Sequence, residues 1–297
     1  MPFAKQPIGR KVFIVCNTAL LTAVFLLGIL PFMHLLAVSL SSNLAVVAGE
    51  VSLWPKGLTF DAYRFLGQKQ EFLQSLFVSL KRVVLGTVVN MVLVVLTAYP
   101  LSKENAKFPL RTLYVWFFAV TMFLGGGLIP TYMIVKETGL LNSIWALILP
   151  GALSVWNMIM LLNFFRSVPK DLEEAALIDG AGHLTLLVRV YIPISVPAIA
   201  TILLFTIVGH WNSWFDGIIY MNSPEHYPLQ SYLSTLVTSV NLNLEQISTD
   251  DLAAMNKLSE RTLRTAQIFL GALPIMLVYP FLQRYFIKGI VVGSVKE

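Results

Sequence analysis

The sequence is poor in charge and nearly without cysteine. Of its 297 residues only 12% are Asp, Glu, Lys or Arg, against about 25% in soluble domains, while 56% are hydrophobic. So little charge cannot clothe a water-facing surface, and the chain is read as an integral membrane protein. The one cysteine, Cys16, sits in an apolar run, which excludes a disulfide framework and a thiolate metal site. There is no G-x-x-x-x-G-K-[ST] phosphate loop, no H-E-x-x-H ligand pair and no nucleophile-elbow serine, and His34, His183, His210 and His226 are scattered. A self-contained ATPase, a metalloenzyme and a serine hydrolase all lack their residues here. The net charge is a mild +5 and no basic cluster interleaves with aromatics, so nucleic acid is not an expected partner.

What the chain has in abundance is long apolar runs, at about 12–38, 76–101, 112–135, 143–165, 194–221 and 265–287. Each matches the roughly 20 residues that a helix needs to cross a bilayer core. The first exceeds the core of a signal peptide, about 7–15 residues, and is read as an uncleaved anchor, a cleaved signal being the alternative. Residues 39–71 are polar and are expected outside, as a loop with a short helix or two. In the third run Gly125-Gly126-Gly127 and Pro130 break the helical pattern. Inside a bilayer such a break needs protein or a wet cavity around it, or it is only a packing kink. No repeat or low-complexity linker divides the chain, so the expectation is one membrane domain over 1–297, all-α, with six spanning helices.

Lysine and arginine in the short loops set the orientation. Lys5, Arg10 and Lys11; Lys103, Lys107 and Arg111; Arg166, Lys170 and Arg189; and Arg284, Lys288 and Lys296 all fall on one side, against Lys136 alone in the short turn opposite. Both termini and the loop 167–193 are therefore expected in the cytoplasm.

That loop, Ser167 to Gly182 and on to Pro193, is a charged island between apolar runs. Pro169 suits a first helical position, Asp171, Glu173 and Glu174 place negative charge near the helix N-terminus, and Gly180 supplies the left-handed turn that ends it. The pattern predicts a helix from about Pro169 to Asp179, with Ala175 and Ala176 as a smooth patch suited to a cleft on another protein. A second short helix is expected over His183 to Tyr191, ended by Pro193.

Glu174-Ala175-Ala176, three residues, Gly180, nine residues, then Val190-Tyr191-Ile192-Pro193 resembles the EAA motif of permease subunits of binding-protein-dependent ABC importers, EAA-x3-G-x9-I-x-L-P. Phe164-Phe165-Arg166 before it and Gly209-His210-Trp211-Asn212 after it resemble the carbohydrate branch, similar to the second permease of the maltose importer. The resemblance implies that Glu173, Glu174, Ala175, Ala176, Asp179, Gly180, Ala181, Gly182, Ile192 and Pro193 form a coupling element. It further implies a second permease subunit, two ATPase subunits that carry ATP and Mg, and an extracytoplasmic solute-binding protein, in the bacterial inner membrane. No cofactor is expected in this chain.

Two other groups stand out. His210, Trp211, Asn212, Trp214 and Asp216, in or at the outer end of the fifth run, read either as a sugar path or as an interfacial aromatic belt with a core histidine. Lys81 and Arg82 start the second run, with Asn90 deeper; they read as headgroup-snorkelling cations or as receivers of an acidic sugar. The expected function is a permease subunit for carbohydrate, an oligosaccharide, coupling ATPase movement to alternating access. The alternatives are another ABC cargo, a secondary transporter, which would need repeats and intramembrane carboxylates, and a membrane enzyme, for which no constellation is visible.

Overall fold

The computed structural model describes the backbone of residues 7–104, 106–238 and 260–294, and side-chain surroundings for 7–104, 106–235 and 261–280. Lys5, Lys296 and the polar stretch around Glu245 lie outside the described residues, as do the side chains of Arg284 and Lys288. Every regular element among the described residues is helical.

Among the described residues three helices are long and apolar enough to cross a membrane unaided. They are α1 (Ile8–Ser39), α4 (Gln70–Ser102) and the Arg261–Pro280 part of the last described helix, Glu260–Ser294. The other three runs are bent pairs. α5 (Arg111–Phe123) meets α6 (Leu128–Glu137) at 113°, two 3-10 turns over Ile144–Gly151 meet α7 (Val155–Arg166) at 50°, and His183–Ile194 meets α11 (Val196–Asn212) at 83°. The six runs are all present, but the third is not one straight span. Its halves, 13 and 10 residues, reach only about 20 and 15 Å at 1.5 Å per residue, short of a core of about 30 Å. Gly127, at φ +84°, takes the turn between them. The fifth run is likewise divided, α11 stopping at Asn212 and a short α12 (Phe215–Tyr220) following.

The described residues divide into two compact units. In the first, drawn from Met1–Lys69 and Val237–Ala272, α1 exposes apolar side chains such as Phe13, Leu20, Phe25 and Leu27, as a lipid-facing helix does. The loop that follows α1 carries α2 (Asn43–Val47) and α3 (Asp61–Gln68), tied to the end of α1 by Ser39 Oγ–Tyr63 Oη at 2.7 Å and Thr59 N–H donating to Leu40 O at 2.9 Å.

The second unit, Gln70–Leu236 with Leu273–Glu297, is built on α4, which packs against both α7 and α11. Val94, Ala98, Met158, Leu161, Phe165 and Ile202 are its closed core. That core continues into the island through Val168, Leu186, Leu187 and Tyr191, so the charged loop is seated on the span bundle by the same apolar packing.

Candidate functional site: a seated island and a polar cavity

The island is α8 (Lys170–Ile178), a turn, α9 (His183–Leu186), a π-helical turn (Leu187–Tyr191) and α10 (Ile192–Ile194). Pro169 is the N-cap of α8 rather than its first helical residue, and Asp179 the C-cap. Gly180 has φ +79°, and Ala181 N–H returns to Ala176 O at 2.9 Å, closing the turn. Pro193 does not end the second helix as the sequence suggested. Proline has no N–H for the carbonyl four residues back, and the preceding segment widens into a π turn, so helix continues to Ile194 and the direction changes at Ser195.

Glu173, not the motif's Glu174, anchors this element. It is only 6% exposed, and three donors converge on its carboxylate: Lys103 Nζ at 2.9 Å, Lys107 Nζ at 3.1 Å and Tyr191 Oη at 2.5 Å. Burial alone would raise its pKa, but the hydrogen bonds from Tyr191, Lys103 and Lys107 outweigh that and hold it down at about 2. Lys103 also lies over the rings of Tyr99 and Tyr191, at 4.3 and 4.1 Å from their centroids, so its charge is met by carboxylate and π faces together. The effect is to fasten the first turn of α8 to the end of α4.

Glu174, Ala175, Asp179, Gly180 and Gly182 are exposed, whereas Ala176 and Ala181 pack against the core cluster. The small-residue patch is therefore divided, with Ala175 outward and Ala176 turned to its own bundle. Exposed beside it are Leu172, Leu177, Ile178 at 87% and Leu184 at 71%, an apolar surface on an otherwise charged loop. Ile192 is half-buried against the core and Pro193 exposed.

The second constellation is a cavity of about 450 Å³ within the second unit. Asn90 of α4, Asn157 of α7 and Thr206 of α11 meet in it: Asn157 Nδ2 donates to Thr206 Oγ1 at 3.3 Å, which lies 3.3 Å from Asn90 Oδ1. Ser154 and His210 add further polar groups to the wall. Arg82 also lines it but does not snorkel. It is 3% exposed, in a bidentate ion pair with Asp216, its Nη1 donating to Oδ1 at 3.1 Å and its Nη2 pairing with Oδ2. Further bonds run to Ser213 O and Leu147 O, both at 3.3 Å, and Ser213 Oγ and Gly217 N–H bond Asp216 at 2.9 Å each.

Of the sequence-selected residues, Asn90, Arg82, His210 and Asp216 come together here. Trp211 is buried elsewhere, while Asn212, Trp214 and Lys81 are exposed and outside the lining. Sequence reasoning missed Asn157 and Thr206, although a polar side chain inside an apolar run is the same signal that picked out Asn90. Nothing local marked Lys103 or Tyr191.

Apolar helices around a polar cavity, with a helical island seated on the bundle and an apolar face turned outward, suit a membrane permease subunit. Residues 75–292 match the family described as the inner membrane component of binding-protein-dependent transport systems, and the chain belongs to that family. It is 40% identical over 276 residues to the polygalacturonan/rhamnogalacturonan transport system permease protein YtcP of Bacillus subtilis, covering 91% of this chain and 93% of that one. Protein LplC of the same organism is 38% identical over 286 residues, 96% and 95% of the two chains. Among solved structures, a bacterial ABC transporter involved in the import of the acidic polysaccharide alginate has a chain similar at TM-score 0.86, with 31% identity over 95% of this chain and 99% of that one. The chain is thus a transport component, and the secondary-transporter and membrane-enzyme alternatives fall.

Proposed function

We propose that this permease subunit imports an acidic oligosaccharide, delivered by an extracytoplasmic binding protein and driven by ATP hydrolysis on two partner ATPase subunits. A second, similar permease completes the path. The observation that carries the cargo reading is the polar cavity of about 450 Å³ walled by three spanning elements, a volume suited to a few sugar units. Its acidic character is supported by the relatives, whose names concern polygalacturonan, rhamnogalacturonan and alginate. Arg82 is spoken for by Asp216 and by the Ser213 and Leu147 carbonyls, so it contributes a fixed dipole, not a free cation.

The loop 167–193 faces the cytoplasm and carries ATPase movement into the bundle. Ala175, Leu177, Ile178 and Leu184 fill the ATPase cleft, and the Glu173 clamp passes the displacement to α4, which bears Asn90 of the cavity.

The cargo reading is tested with the complete importer in proteoliposomes, loaded with ATP inside and offered oligogalacturonides or neutral oligosaccharides of equal length with the binding protein. Selective uptake of the acidic series is expected. Equal uptake of both, or uptake of the neutral series alone, contradicts it.

A further inference from the structure

At the far end of α4 from Arg82 lies a second cavity, about 400 Å³, between the ends of α4 and α7, the start of α5 and the island. Its wall holds five cations, Lys103, Lys107, Lys170, Arg111 and Arg166, against three carboxylates, Glu104, Glu173 and Glu174, leaving two positive charges in excess. The lysines are matched: Lys103 and Lys107 to Glu173, and Lys170 to Glu104. Arg111 and Arg166 make no ion pair among the described residues.

What the two arginines do have are single long bonds to carbonyls at and just past the end of α4, Arg111 Nη1 to Lys103 O at 3.4 Å and Arg166 Nη2 to Leu101 O at 3.5 Å. Each guanidinium carries five N–H donors, so most have no protein acceptor among the described residues; Arg166 is exposed, and Arg111 Nε is buried without an acceptor. A helix C-terminus would be served by one such cation. Two, in a cavity already rich in lysine, exceed that need.

We infer that this cavity binds a phosphate-bearing anion, with Arg111 and Arg166 as its principal ligands. Guanidinium forks match phosphate oxygens two at a time, and neither arginine is paired with a carboxylate among the described residues. Arg111 is the first residue of α5 and Arg166 the last of α7, so the site lies at the ends of two apolar helices, which the permease reading puts at headgroup height. Basic pockets between membrane helices at that height bind the phosphates of anionic lipids. The same chemistry accepts free phosphate, and the test separates the two sources. A bound anion would bridge α5 and α7 next to Lys103, beside the Glu173 clamp, without involving the cargo cavity.

The complete importer is purified in phosphatidylcholine nanodiscs doped with phosphatidylglycerol, and retained lipid is counted by native mass spectrometry. Wild type should retain phosphatidylglycerol over phosphatidylcholine, and Arg111→Gln with Arg166→Gln should lower that retention about tenfold or more, the loss of about 1.4 kcal/mol or more of binding. Displacement by inorganic phosphate assigns the site to the free anion; retention in its presence assigns it to the lipid. A photoreactive phosphatidylglycerol, labelling peptides that contain Arg111 or Arg166 in wild type, covers the case in which the double variant does not assemble. Equal retention in wild type and variant, labelling elsewhere only, or loss of ATPase subunits in the variant with anion retention unchanged would overturn the inference.

Discussion

Lys103, one residue past the end of α4, and Glu173, in the first turn of α8, are 70 residues apart in sequence and 2.9 Å apart in space, both under 10% exposed. A rigid cross-strut joins the charged island to the longest helix of its unit.

Removing one partner of that pair should cost far more than a surface ion pair. Glu173→Gln leaves the Lys103 ammonium buried without its counter-charge, a loss of about 3 kcal/mol or more in the docking of α8. Hydrogen exchange on the assembled importer should show faster exchange over Lys170–Ile178, while the rest of α4 is unchanged.

The same carboxylate has a pH signature. Its folded pKa, about 2, lies below the ordinary 4.5, so its stabilisation is fully present above pH 4.5 and is lost as pH falls toward 2. Integrated over that interval it amounts to roughly 3 kcal/mol. The melting temperature of wild type should therefore drop more steeply on acidification below pH 4.5 than that of Glu173→Gln, which has no carboxylate to protonate.

Arg82 and Asp216 are 134 residues apart and hold α4 to the α11–α12 corner. Asp216→Asn should destabilise by about 3–5 kcal/mol, because the guanidinium is left buried and uncompensated. Arg82→Met combined with Asp216→Leu should recover much of that. Thermal unfolding in detergent of wild type, Arg82→Met, Asp216→Leu and the double variant gives the coupling energy directly.

Gly86 of α4 lies directly against the His210 ring of α11. A Cβ there would lie 2.6 Å from Cε1 and Nε2 of His210, so Gly86→Ala forces the ring aside and should cost about 1–3 kcal/mol. His210→Ala should rescue it, and the double variant should be more stable than Gly86→Ala alone.

These relationships mark what was legible in the sequence. Six runs of apolar residues needed only hydropathy, and the island's helix and its stop at Gly180 needed only local capping chemistry. The Gly125-Gly126-Gly127 break was visible, but a 113° turn was not, because glycine permits many directions and packing selects one. Pro193 misled for a related reason: the π turn that accommodates it depends on Leu186, Leu187 and Tyr191 being held in the core. The pairings of Arg82 with Asp216 and of Lys103 with Glu173 join distant segments, and no local pattern encodes them. Arg82 accordingly read as a snorkelling cation or as a receiver of an acidic sugar, when it is buried in an ion pair with Asp216.

The central claim is that the seated island couples ATP hydrolysis to transport, and Gly180→Val tests it most directly. A β-branched residue at φ +79° is strained by about 1–3 kcal/mol and re-aims α8. No neighbour lies within 4 Å of a Cβ built there, so the bundle itself is not overfilled. With the complete importer in proteoliposomes, uptake and ATP hydrolysis are measured together. Loss of uptake, with hydrolysis no longer stimulated by the loaded binding protein or with ATPase subunits released, is the predicted result. Wild-type uptake and wild-type stimulation in Gly180→Val would contradict the account.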